Sequence, residues 1–170
     1  MLELLQLLRN ELFSHLSAKA PVNVAIGNIA LVEIRGDKAL QDSVVISLIN
    51  TEINRTKRNS PGFITNQEGD HAGNMSFDVF ILFSCNYAVT NYQIALATLF
   101  EIMQFFTAKN VFTLSPSPRT GDETTNESAT QLQFYLEPVS LSFEEIHHMW
   151  SSLGVRQMPF ILYRLRTKHA

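Results

Sequence analysis

Leucine recurs through the first sixteen residues at steps of three and four: Leu2, Leu5, Leu8, Leu12 and Leu16. That spacing places them on one side of a helix and predicts an amphipathic first element. It ends near Ala18–Ala20, because Pro21 follows. Val22 to Ile34 is rich in β-formers but broken by Gly27 and Asn28, which predicts one or two short strands, and Gly36-Asp-Lys reads as a turn. Val44 to Ile53 is a long strand. Val45, Ile49 and Ile53 point one way and Val44, Ile46 and Leu48 the other, so it should be central and covered on both sides. Asn50, Glu52 and Asn54 then turn one face polar. Phe77 to Asn86 repeats the two-sided pattern, with Phe77, Val79, Ile81, Phe83 and Cys85 against Phe80 and Leu82.

A helix should follow. Thr90-Asn-Tyr-Gln93 fits a capping box, Tyr92, Leu96, Leu99, Met103 and Phe106 make an apolar stripe with Ala95 and Ile102 beside it, and Lys109-Asn110 offers a left-handed end. Val111 to Leu114 reads as a short strand. Leu132, Phe134 and Leu136 alternate with polar neighbours in another, ending at Pro138. Ser142-Phe-Glu-Glu145 is a second capping box. Its helix turns Ile146, Met149, Trp150 and Leu153 inward and stops at Gly154. Pro159 opens a last strand, Phe160 to Lys168. Two stretches, 55–75 and 115–130, carry no periodic pattern and read as long, mobile loops. The order of elements predicts one α/β (α+β) domain over 1–170: a mixed, largely antiparallel β-sheet flanked by about three helices.

Composition narrows the setting. A chain of 170 residues, 45% hydrophobic with 12 Phe, can build a core without disulfides. Cys85 is the single cysteine, which suits a reducing compartment. A net charge of −3 argues against a nucleic-acid partner. Glu3, Gln6, Arg9 and Asn10 interrupt the first apolar run at helical spacing, so it reads as a helix and not as a secretory signal. No apolar stretch approaches the roughly 18 residues of a membrane span. The Asn-x-Ser/Thr triplets at Asn54, Asn74 and Asn126 therefore read as chance matches.

Signals for catalysis are thin. No phosphate loop, nucleophile elbow or Cys-x-x-Cys is present. Glu144 and His147 form one Glu-x-x-His pair, but di-metal sites need a second copy, and a solvated helix face explains the pair better. His147 and His148 are sequence neighbours, so their side chains diverge by about 100°. Asp70 and His71 would make an acid–base pair only if something held their glycine-rich loop rigid. Cys85, on an apolar alternation, reads as an inert buried thiol. No cofactor or metal is implied, and the chain reads as a non-enzyme.

Surfaces are more informative. Arg164, Arg166 and Lys168 share one face of the last strand. They are either solvated charges that blunt a sheet edge or a basic stripe meeting an acidic partner subunit. Arg55, Lys57 and Arg58 open the first long loop, and Phe63 and Ile64 sit inside it without partners in the pattern. They form either a satellite cluster or part of an interface. These eight residues are the candidate subunit interface.

The stretch Leu141-Ser-Phe-Glu-Glu-Ile-His-His-Met-Trp-Ser-Ser-Leu-Gly154, followed by Met158-Pro-Phe-Ile-Leu-Tyr-Arg-Leu-Arg166, resembles the end of the conserved domain in the cap proteins of contractile injection systems. These are tail-terminator proteins of the antifeeding-prophage and virulence-cassette type. Val44 to Glu52 and Leu82 to Leu96, with its helix to Phe106, agree in order. The resemblance implies a phage tail-terminator-like fold. It also implies a structural subunit that forms a homo-oligomeric, hexameric ring on sheath and inner-tube subunits, ends their polymerisation and holds the sheath extended. It implies no membrane or nucleic-acid partner, assembly in the cytoplasm, and a place in a phage tail-like particle. Three other readings stand beside it: a terminator or connector of a phage tail or related secretion apparatus, a small hydrolase using Asp70 and His71, and a monomeric adaptor.

Overall fold

The computed structural model describes residues 1–32, 40–54, 76–114 and 132–168. Among them, three helices accompany a six-stranded sheet. Helix α1 is Leu2–Ser17 and strand β1 is Asn23–Ile26. Strands β2 (Ser43–Asn54) and β3 (Ser76–Asn86) precede helix α2, Tyr92–Ala108. Then come β4 (Val111–Leu114), β5 (Leu132–Pro138), helix α3 (Phe143–Leu153) and β6 (Phe160–Lys168). The strand order is β1-β2-β3-β6-β5-β4. Only β1–β2 is parallel; every other pair is antiparallel. The fold is therefore α+β, with the mixed, largely antiparallel sheet that the pattern predicts. The expected turn at Gly36 and the long loops 55–75 and 115–130 fall outside the described residues.

Helices α1 and α2 cover the first sheet face. Leu4, Leu5, Leu8, Leu12 and Leu16 of α1 are buried there, and Leu2, expected on this face, is exposed. The strands contribute Val44, Ile46, Val79, Ile81, Phe83, Tyr163 and Leu165. Phe106 is the hub. Its ring centroid lies 5.0 Å from Phe83, 5.0 Å from Tyr163 and 6.0 Å from Phe112. Helix α3 covers part of the second face, packing Trp150 edge-on to Phe160 at 5.2 Å over Val45, Leu82 and Leu162.

Both capping motifs of α3 form. The Glu145 amide donates to Ser142 Oγ (3.2 Å), the Ser142 amide donates to Glu145 Oε2 (2.7 Å), and Gly154 ends the helix at φ 67°. The box at Thr90 does not form. The chain turns from extended to helical at Ala88 (φ −56°, ψ 153°) through a 3-10 turn, Val89–Asn91. Thr90 therefore already lies on the helical path, and a cap residue needs extended backbone. Nor is the end of α2 left-handed. Lys109 is extended (φ −133°, ψ 95°), and β4 begins two residues later.

Between Val22 and Val32 there is one strand. Ser47, buried in β2, donates to the Gly27 carbonyl (2.7 Å) and accepts from the Ile29 amide (3.2 Å). This hydroxyl draws the backbone off the strand path. Asn28 then caps a 3-10 turn, Ile29–Leu31, by accepting from the Ala30 amide. A Cβ at Gly27 would lie 2.8 Å from Leu40 Cδ2, so any larger residue there would have to push the Leu40 side chain aside.

The buried side of α2 differs from the expected stripe. Ala95, Thr98, Ile102 and Phe106 are buried, whereas Tyr92, Leu96 and Met103 are exposed. An all-round apolar helix gives periodicity little to choose between. Small residues at Ala95 and Thr98 allow close approach to the strands, and they decide which side goes down.

Candidate assembly surfaces

Strand β6 lies inside the sheet, between β3 and β5, so its basic residues do not guard an edge. Its register sets Arg164 opposite Glu137 of β5, and Arg166 opposite Asp78 of β3. Arg164 Nη2 approaches Glu137 Oε2 at 3.0 Å, Arg166 Nη1 approaches the same oxygen at 3.5 Å, and Arg166 Nε lies 3.5 Å from Asp78 Oδ1. Two cations and two carboxylates thus form one network on the second sheet face. Arg164 Nε, Arg166 Nε and Asp78 Oδ1 are buried in it without a hydrogen bond among the described residues. Nothing in the sequence pattern marks Glu137 and Asp78 as the partners, because both depend on which strands adjoin β6. Lys168 pairs with Gln133 along the backbone. Arg55, Lys57, Arg58, Phe63 and Ile64 lie outside the described residues, so the structure brings together Arg164 and Arg166 alone of the eight candidates.

Among the described residues the sheet ends at β1 and β4, each of four residues. Beside β1, α1 is tied down by Arg9, whose Nε donates to the Val24 carbonyl at 3.0 Å. At its far end, α1 is joined to α2 by Glu101, which takes a hydrogen bond and ion pair from Lys19 and lies 3.5 Å from His15. Lys19 foremost, through that bond, holds the Glu101 carboxyl below its ordinary range.

Chemistry is sparse in the described regions. Burial pushes the Cys85 thiol up to about 12, so it is a poor nucleophile. The His147 and His148 rings are 6.1 Å apart at 52°, and no group of three metal-ligating side chains occurs among the described residues. A cleft of about 430 Å³ at the end of α3 is lined by His147, Trp150, Ser151, Gly154, Val155, Arg156 and Gln157. It holds no carboxylate to orient the imidazole, so it lacks the relay a serine nucleophile needs. Asp70 and His71 lie outside the described residues. No helix among them is long and apolar enough to cross a membrane.

A family model described as the Pvc16 N-terminal domain matches residues 3–169. The chain belongs to this family. The match spans the Trp150-Ser-Ser-Leu-Gly154 block and the strands that flank it. Among solved structures, the domain matches a chain from a cryo-EM structure of an extracellular contractile injection system, described as the PVC sheath/tube terminator in the extended state. The TM-score is 0.52 and the identity 14%, over 96% of this chain and 56% of that one. At that identity the likeness shows the fold, and this chain spans about half the length of that terminator. No curated protein matches the chain.

Proposed function

We propose that this Pvc16 N-terminal domain is a structural terminator subunit of a contractile injection system. In this reading it forms a homohexameric ring on the last layer of inner tube and sheath, ends their polymerisation and holds the sheath extended. The observation that carries the reading is the fold shared with a sheath/tube terminator over almost the whole chain, together with family membership from residue 3 to 169. The architecture suits the task. A terminator must present fixed surfaces under load, and a sheet packed on one face, around a Phe106-centred core, and on part of the other is rigid. It needs neither a cofactor nor turnover, and its partners are sheath, tube and other copies of itself, without nucleic acid or membrane. Assembly in the cytoplasm within a phage tail-like particle follows from the same reading.

Arg55, Lys57, Arg58, Phe63 and Ile64 are proposed to touch a neighbouring subunit, together with Arg164, Arg166 and Lys168 of β6. A strand lent by a sheath subunit would find its acceptor at β1 or β4, the strands that end the sheet among the described residues. Imaging of particle ends with and without this chain tests the reading. With it, particles have one length and a ring density at the distal end; without it, tubes vary in length. Uniform tubes in its absence would sink the proposal. Deleting residues 59–74 separately tests the loop contact: unchanged length and ring occupancy would remove that loop from the interface.

A further inference from the structure

We draw no further inference here: the strongest candidate, the exposed apolar stripe that Tyr92, Leu96, Phe100 and Met103 form along one side of α2, carries nothing further because nothing in the structure shows what covers it.

Discussion

Ile102→Ala and Leu96→Ala delete the same number of carbons from the same helix, yet their costs should differ by about threefold. Ile102 is wholly buried between α2 and the sheet. Truncating it forfeits the transfer free energy of the lost atoms and leaves a cavity, for a total of about 2–5 kcal/mol. Leu96 is 45% exposed, so only about half of a transfer term of ~1.5–3 kcal/mol is at stake, and no closed cavity forms. Alanine returns a few tenths of a kcal/mol of helix propensity at both sites, about cancelling between them. In a chain of this length each kcal/mol moves Tm by about 2–4 °C. Taking ~3 kcal/mol for Ile102→Ala gives a fall of about 6–12 °C, against about 2–4 °C for Leu96→Ala. Urea unfolding followed by far-UV circular dichroism, at low protein concentration and with m unchanged, measures both. Equal costs in dilute protein would mean that α2 is rotated from its observed setting. The exposed apolar stripe would then lie on a different side of the helix. A cost for Leu96→Ala that grows with protein concentration would show the stripe being buried between chains.

Other consequences are as sharp. Gly154→Ala should cost about 1–2 kcal/mol, all of it backbone strain, because φ is 67° and a Cβ there meets nothing within 4 Å; Gly154→Asn should cost less, and denaturant midpoints compare the two. Glu145 has its carboxyl held below the usual range, first by the hydrogen bond from the Ser142 backbone. A folded pKa below the unfolded one means stability present above the unfolded value and lost as pH falls through the folded value. The stability gap between the parent and Glu145→Ala should therefore be full at pH 7 and shrink on acidification, and melting curves from pH 7 down to about 3 would show it; a gap constant with pH contradicts the capping box. Asp78→Asn should cost about 1–3 kcal/mol, because Asp78 is nearly buried beside Arg166. A double-mutant cycle with Arg166→Gln should return a coupling of at least about 0.5 kcal/mol, and strict additivity would mean that the ion pair contributes nothing.

The strands were legible because each of the long ones satisfies two alternations at once. Val44 to Ile46 and Val79 to Cys85 alternate between the two cores, as their apolar runs on both parities require. Helix α3 was legible to its ends because Ser142, Glu145 and Gly154 each supply a specific backbone need. Three things were not. Thr90 has the right neighbours for a cap but sits on the helical side of the turn from Ala88. The buried side of α2 is set by how closely Ala95 and Thr98 let it approach the sheet, which no count of leucines records. And the place of β6 in the middle of the sheet is a matter of topology, which residue spacing does not encode. As for the candidate surface, Arg164 and Arg166 were found as a pair, but their acidic partners were hidden because those reside on β5 and β3.

The two surface features of this domain invert the usual inference from charge to contact. The second sheet face is apolar where α3 lies on it, at Val45, Leu82 and Leu162. Further along β6 the side chains on that face become Arg164 and Arg166. A sheet face left without a helix must be polar, and opposite charges on adjacent strands are a stable way to make it so. Glu137 and Asp78 therefore account for the arginines within one subunit, and a neighbour that used them would have to compete with these ion pairs, of which the more exposed, Arg164–Glu137, is worth at most about 1 kcal/mol. The α2 stripe has no such internal account. Nothing in the core requires Tyr92, Phe100 or Met103 to be large and apolar, since Ala95, Thr98, Ile102 and Phe106 already seat the helix. Leaving them in water costs solubility without returning stability. In a domain proposed to end a polymer, the surface that lacks charge is thus the stronger sign of a partner than the surface that has it.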